Sequence, residues 1–169
     1  MPHPLEDVIQ GAEGFLLIGD SSEERFPAFS YHVYTKAKKS FYCLDLGGLE
    51  VSRGKTKGGR VYTRVEDLPA DHDDLAILWM KPRSAVRGVE AAHAAGCRRV
   101  WFSFQTGHPS AVERARELGM EVVEVGRCPV YYMDRRMPEC TLHTLLVKTT
   151  GLWGQPPRTD ANAKRRELI

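Results

Sequence analysis

The sequence predicts a doubly wound α/β domain in which helices cover both faces of a five-stranded parallel sheet. Short apolar runs alternate with helical stretches along most of the chain. The runs are continuously apolar rather than alternating, which is typical of strands buried on both faces. Strand–helix–strand units repeated four times favour a parallel, Rossmann-like sheet, for which we expect the strand order 3-2-1-4-5. The five predicted strands span residues 15–18, 41–44, 75–79, 100–104 and 121–125.

Three helices are predicted between these strands. The first spans residues 27–39, where a proline in the first turn and apolar residues at helical spacing favour a helix. The second runs over 84–95, with Ser84 as its N-cap and Gly96 as its stop. The third runs over 109–118 and ends at Gly119. Residues 61–63 could form a short extended piece before the third strand.

Composition places the chain among ordinary globular proteins. It has 169 residues, of which 42% are apolar and 27% are charged, so one domain is expected. The formal net charge of +2 is too small to indicate nucleic-acid binding. Every apolar run is far shorter than the roughly 20 residues of a membrane span. The four cysteines form no C-x-x-C pair and no signal-peptide pattern precedes them, so we expect a cytoplasmic protein with reduced thiols.

The sequence changes character towards its end. We expect residues 1–133 to form the nucleotide-binding domain and residues 134–169 to form a C-terminal extension. Leu142, Leu145, Leu146 and Val147 could make one short element that packs on the core. The proline-rich segment around Trp153 has no periodicity and is predicted to be an extended tail.

The loop after the first strand is the main candidate binding site, because ligands of open parallel sheets bind at the carboxyl ends of the strands. Gly19 allows a tight turn there, and the helix predicted after it would offer free N–H groups to a phosphate. Hydroxyl donors and one cation complete the candidate set, namely Ser21, Ser22, Ser30 and Arg25.

Two features of the same loop favour a plain strand–helix connector instead. Gly19 stands alone, so the G-x-G-x-x-G fingerprint of dinucleotide-binding loops is missing. Asp20, Glu23 and Glu24 place negative charge where a phosphate would lie. From the loop alone, the two interpretations stay open.

Neighbouring strand ends add further candidates. Asp45 follows the second strand, where an acidic residue could bind a ribose hydroxyl or simply form a turn. Lys81 and Arg83 follow the third strand and add positive charge. A basic loop that contains Lys55, Lys57 and Arg60 could close on a phosphate or remain solvated. Cations from three sources at one sheet edge favour an anionic ligand.

Catalytic candidates are few. His108 lies in a strand-end loop, where acid–base chemistry would be possible, whereas His32 and His93 fall within predicted helices. Cys128 follows the fifth strand and could be a reactive thiol or, more often for such a residue, a buried inert one. No nucleophile elbow, carboxylate pair or metal-ligand set is recognisable.

An ordered set of short motifs resembles the stand-alone CoA-binding domain family, which is related to the CoA-binding part of the succinyl-CoA synthetase α subunit. The motifs are I-G-D-S at 18–21, S-Y-H-V at 30–33, G-G-R-V-Y at 58–62, V-E-D-L-P at 65–69 and R-C-P at 127–129. The resemblance implies a Rossmann-like sheet, similar to NAD(P)-binding folds, with CoA at the strand ends. The matching binding positions are Gly19, Ser21, Ser30, Asp45 and Arg83.

The chain also departs from the family pattern. Ser103 and Gln105 stand where the family has Q-x-G after the tryptophan of the fourth strand. The phosphorylated-histidine loop of the synthetase relatives has no counterpart, so ligase activity is not implied.

Three functional hypotheses follow. In the first, the protein binds a small-molecule nucleotide ligand, namely CoA, acyl-CoA or a related adenine nucleotide, and has no catalytic machinery of its own. In the second, it is a component of a nucleotide-dependent transferase or ligase that uses His108 or Cys128. In the third, it is a Rossmann-like scaffold that has lost its ligand and acts through protein partners. The sequence does not predict an oligomeric state.

Overall fold

Six parallel strands form one sheet in the computed structural model, which describes residues 3–23, 25, 34, 36–48, 61–72, 74–134 and 138–161. The order across the sheet is β3-β2-β1-β4-β5-β6, and each pair of neighbours is parallel. The strands are β1 (Gly14–Gly19), β2 (Ser40–Asp45), β3 (Val61–Tyr62), β4 (Leu75–Trp79), β5 (Arg99–Phe102) and β6 (Glu121–Val125).

The α/β fold class is confirmed, but the predicted strand number and order are wrong in one place. Residues 61–62 form an edge strand whose two residues pair with β2, and a strand this short carries no periodic signal in the sequence. The predicted order places the strand at 75–79 beside the second strand. In the structure β3 occupies that position, and residues 75–79 (β4) pair with β1 on its other side. The chain order therefore reverses between β1 and β4.

The described helices are α1 (Pro4–Gly11), α2 (Ala85–Ala94), α3 (Pro109–Glu117) and α4 (Pro138–Thr149). Gly96 and Gly119 follow α2 and α3 with φ of +87° and +73°, and both are the predicted stops. The helix predicted over 27–39 falls largely outside the described residues. No helix in the described ranges is long and apolar enough to cross a bilayer.

Burial on both faces explains why the central strands are continuously apolar. In β1, Leu16 and Ile18 belong to the core that α2 and α3 cover. Phe15 and Leu17 point into the opposite core, which α1 covers with Leu5 and Ile9. Successive side chains of a strand point to opposite faces, so a strand between two cores has no solvent-facing position for polar residues.

The C-terminal extension folds back on the sheet. The apolar element expected here is helix α4, which buries Val147 and Thr144 and leaves Leu142, Leu145 and Leu146 exposed. Beyond α4, residues 151–161, here called the C-terminal strap, contain no helix or strand. The strap follows the open edge of the sheet, where the Val125 N–H donates to the Arg158 carbonyl at 2.7 Å.

Candidate functional site

The carboxyl ends of β2, β1 and β4 lie side by side, and the chain order reverses between β1 and β4. This is the position at which open α/β sheets bind their ligands. We call the loops here, residues 19–23, 25, 45–48 and 80–84, the switch-point edge. Seven of the eight predicted site residues lie at it, namely Gly19, Ser21, Ser22, Arg25, Asp45, Lys81 and Arg83. Ser30 falls outside the described residues, as do Lys55, Lys57, Arg60 and His32.

The first loop closes on itself immediately after β1. The Asp20 N–H donates to the Arg25 carbonyl at 3.0 Å, and the Arg25 N–H donates back to the Asp20 carbonyl at 3.2 Å. A single 3-10 turn, Ser21–Glu23, lies between them. The loop is therefore a short, internally bonded unit and not an open glycine-rich cradle.

Carboxylates from within the edge hold both serine hydroxyls of this loop. The Ser22 hydroxyl donates to Asp20 Oδ1 at 2.5 Å. The Ser21 hydroxyl donates to Asp45 Oδ2 at 2.5 Å, while the Ser21 N–H donates to Asp45 Oδ1 at 2.8 Å. Asp45 Oδ1 also accepts from the Gly47 N–H at 3.1 Å. Asp45 is fully buried, so here it joins the β1 and β2 loops.

Gly47 allows these two loops to pack closely. A Cβ atom at this position would lie 2.6 Å from both Ser21 Oγ and the Ser22 nitrogen, closer than such atoms approach without a shift of the backbone. The contact that requires a glycine comes from the neighbouring strand, and short-range sequence patterns do not reveal it.

Arginine side chains pair with two of the three acidic residues of the β1 loop, Asp20 and Glu23, while Glu24 falls outside the described residues. Arg83 Nε donates to Glu23 Oε1 at 3.0 Å, and the Ser84 hydroxyl donates to the same oxygen at 2.6 Å. The Ser84 hydrogen bond, together with the Arg83 charge, lowers the pKa of Glu23. Arg87 Nη1 lies 3.3 Å from Asp20 Oδ2. Each of these two acidic side chains is therefore paired with an arginine.

Two corrections to the residue roles follow. Ser84 precedes α2 as predicted, but its side chain makes no capping hydrogen bond, because the hydroxyl binds Glu23 instead. Arg87 is a member of the site that the sequence analysis missed. Its position in the first turn of the helix predicted after Ser84 was an available signal, since the start of that helix lies at the same strand end as Arg83.

Arg25 and Lys81 differ in their surroundings. The Arg25 guanidinium lies 5.7 Å from the centroid of the Trp79 ring and 6.0 Å from that of Phe104, and it donates to the Phe104 carbonyl. Partial burial lowers the pKa of Arg25, although an arginine remains charged at neutral pH. Lys81, in contrast, is exposed.

The loop after β5 borders the edge on the other side of β4. Thr106 Oγ1 accepts from the Met80 N–H at 3.3 Å and so joins the β4 and β5 loops. Gln105 has φ of +55°, a backbone conformation that favours glycine. In the family that the sequence resembles, a glycine stands at the position of Gln105. The backbone of this chain thus keeps the left-handed conformation that favours glycine, although the residue is glutamine.

The two catalytic candidates lie in different surroundings, His108 at the exposed start of α3 and Cys128 packed against the core. His108 is the N-cap of α3, and its Nδ1 accepts from the Ser110 N–H at 3.3 Å. Burial raises the pKa of the Cys128 thiol to about 12, which disfavours the nucleophilic thiolate. In the described part of the chain, no cluster of His, Cys, Asp or Glu could hold a metal ion.

A parallel sheet covered on both faces, with polar loops at its switch point, defines a Rossmann-like protein of the nucleotide-binding class. Within that class, residues 14–134 match the family model described as "CoA binding domain". The chain belongs to this CoA-binding domain family.

Solved structures with similar folds agree with this assignment of the fold. A hypothetical protein from Pyrococcus horikoshii OT3 has 23% identity and a TM-score of 0.61, over 76% of this chain and 86% of that one. Prb, a protein redesigned for binding, has 24% identity over the same shares with the same TM-score. A Thermus thermophilus protein has 15% identity and a TM-score of 0.57, over 76% and 92%. A search of curated protein sequences returns no match to the chain.

Proposed function

We propose that the protein binds CoA, or an acyl-CoA or related adenine nucleotide, at the switch-point edge. The observation that carries the proposal is the convergence of four cations on this edge in a chain of the CoA-binding domain family. Arg25 comes from the β1 loop, Lys81 and Arg83 from the β4 loop, and Arg87 from α2.

The chemistry of these donors suits CoA, which carries a pyrophosphate and a 3′-phosphate. Arginine side chains bind phosphate oxygens through charge-assisted hydrogen bonds. The first turn of α2 adds backbone N–H groups and the positive end of the helix dipole at the β4 loop. The side chains of Arg83 and Arg87 are 73% and 60% exposed, so both can turn to a ligand without disturbing the core.

The serine residues of the β1 loop have a different role in this proposal. Because Asp45 and Asp20 hold the Ser21 and Ser22 hydroxyls, these residues fix the shape of the loop against the edge. CoA would supply a thiol that carries acyl groups, and the residues of the chain would bind and orient its nucleotide part.

One observation favours a second candidate, a scaffold that acts through protein partners. Leu142, Leu145 and Leu146 are 58%, 56% and 47% exposed on α4, and together they form an apolar stripe. The stripe lies outside the switch-point edge, so the two candidates are separable. A protein that binds no CoA but loses partner capture on Leu145→Glu would favour the scaffold.

Calorimetric titration with CoA at low salt tests the proposal. We expect saturable binding to the wild-type protein and a loss of about tenfold in affinity for Arg83→Met, because one charge-assisted contact is removed. Arg98→Met is the matched control, since Arg98 is also exposed and pairs with Asp74 at the opposite end of the sheet. No heat and no thermal shift at millimolar CoA would contradict the proposal, because a ligand at one hundred times its Kd stabilises a protein by about 2.7 kcal/mol.

A further inference from the structure

Glu23 connects the two loops that flank the switch point. Its side chain leaves the β1 loop and is only 11% exposed. Oε1 accepts two hydrogen bonds from the start of α2, one from Arg83 Nε at 3.0 Å and one from the Ser84 hydroxyl at 2.6 Å. Oε2 is buried and accepts no hydrogen bond. The carboxylate is thus held through one oxygen only.

The donors that Glu23 holds are those that a phosphate would use. A guanidinium, a hydroxyl and the first turn of a helix are a typical set of phosphate-binding groups. The Glu23 carboxylate binds two of these groups, the guanidinium and the hydroxyl, with a single negative charge. Glu23 therefore takes the place of an anionic ligand, and the charge of Lys81 contributes to holding it there.

Two features make this contact exchangeable. The Arg83 side chain is 73% exposed, so water competes for its guanidinium and reduces what the ion pair contributes to stability. The unsatisfied Oε2 is a further cost that ends when the carboxylate turns outward into water. An incoming diphosphate can offer more than one oxygen to the same donors.

We propose that Glu23 is an intramolecular latch that occupies Arg83 and Ser84 in the unliganded protein and lowers the affinity of this edge for phosphate-bearing ligands. The inference rests on the proposed function for the identity of the ligand. The latch itself requires only that the Glu23 carboxylate and a diphosphate compete for the same two donors, Arg83 and Ser84. Inorganic pyrophosphate is therefore a sufficient probe.

The test compares Glu23→Gln with wild-type protein in calorimetric titrations with inorganic pyrophosphate and, separately, with CoA. Glu23→Gln keeps the shape of the side chain and removes its charge. We expect it to bind pyrophosphate about tenfold more tightly at low salt, with the gain shrinking as salt screens the charges. Glu13→Gln is the matched control, since Glu13 is exposed at the opposite end of β1; its affinity should equal that of the wild type.

A second variant separates direct contact from net charge. Glu23→Asp keeps the charge but is one methylene shorter, so it should reach Arg83 and Ser84 poorly and show an intermediate gain. Equal pyrophosphate affinity in the wild type and Glu23→Gln, absence of binding to either, or an equal gain in Glu13→Gln would each overturn the latch. CoA binding by the wild type would then still support the proposed function. A pyrophosphate gain without any CoA binding would support the latch and contradict the proposed ligand.

Discussion

Two clusters of arginine and carboxylate groups, at different parts of the sheet, differ mainly in their exposure to water. At the switch-point edge, Arg83 and Arg87 are mostly exposed where they pair with Glu23 and Asp20. Under the C-terminal strap, Arg127 is 6% exposed and its Nε lies 3.9 Å from Oε2 of the fully buried Glu124. The carboxylates are largely buried in both clusters, but water reaches the arginines of the first and is excluded from Arg127, so the first pairs are the weaker ones.

The buried cluster ties three parts of the chain together. Arg127 donates to the Gln155 carbonyl at 2.9 Å and to the Tyr132 hydroxyl at 3.1 Å. Trp153 stacks on Tyr132 with ring centroids 4.9 Å apart. His3, the N-cap of α1, has its Nε2 at 2.9 Å from the same Gln155 carbonyl. The comparison indicates that this cluster stabilises the fold, whereas the exposed cluster is available for a ligand.

The largest expected effect is that of Arg127→Met. Removing the guanidinium takes a buried cation away from Glu124 and one donor from the Gln155 carbonyl. Loss of one partner of a buried pair typically costs about 3 to 5 kcal/mol. Arg83→Met should cost less than about 1 kcal/mol, because that pair is exposed. Urea denaturation measures the free energy of unfolding of both variants. Similar losses in the two would contradict the difference between the clusters.

The next largest effect is expected for Gly47→Ala. The added methyl group would meet Ser21 Oγ and the Ser22 nitrogen at 2.6 Å, so the β1 and β2 loops must separate, at a cost of about 1 to 3 kcal/mol. Gly154→Ala in the strap is the control, since a Cβ atom there has no neighbour within 4 Å, and it should change stability by less than about 0.5 kcal/mol. Thermal or urea unfolding distinguishes the two.

A smaller effect of the opposite sign is expected for Gln105→Gly. Gln105 has φ of +55° beside the switch-point edge, and a glycine there relieves backbone strain. Part of the gain is offset by the greater freedom of glycine in the unfolded chain, so we expect a net stabilisation of up to about 1 kcal/mol. Lys38→Gly, at φ of +59°, should behave alike in urea denaturation. A loss of stability at Gln105 alone would show that its side chain makes a contact worth more than the strain.

The smallest effect concerns pH and Glu23. Because the Ser84 hydroxyl and Arg83 lower the pKa of Glu23, its stabilising contribution is present above the pKa of an unfolded glutamate and is lost as the pH falls through the lowered value. The free energy of unfolding of the wild type should therefore exceed that of Glu23→Gln by less than about 1 kcal/mol at pH 7, and the two should converge once the pH falls below the lowered pKa. A difference that persists in acid would have to come from something other than the carboxylate charge.

The fold could be predicted from the sequence because the β1 run, continuously apolar over 15–18, follows directly from burial on both faces. A short extended piece at 61–63 could also be predicted, but its place at the sheet edge beside β2 could not, since the pairing of two residues leaves no local pattern. At α4 the sequence likewise predicts an apolar element but not which of its side chains are buried: Val147 is buried, whereas Leu145 is exposed.

The position of the candidate site in the fold could be predicted from the sequence, but the contacts among its residues could not. The rule that ligands bind at the switch point selects Gly19, Asp45 and Arg83 correctly as neighbours of one edge. It does not indicate that Ser84 binds Glu23 in preference to capping α2. Such pairings depend on the relative positions of two strand ends, which the sequence of either loop alone does not contain.

The most direct test of the central claim is an amide NMR titration of the wild-type protein with CoA at low salt. Binding at the exposed cluster predicts saturable shifts of the Ser22, Gly47 and Ser84 amides at the switch-point edge, while the Arg127 and Trp153 amides of the buried cluster and the strap stay unchanged. Shifts confined to the strap, or no shifts at millimolar CoA, would contradict the account.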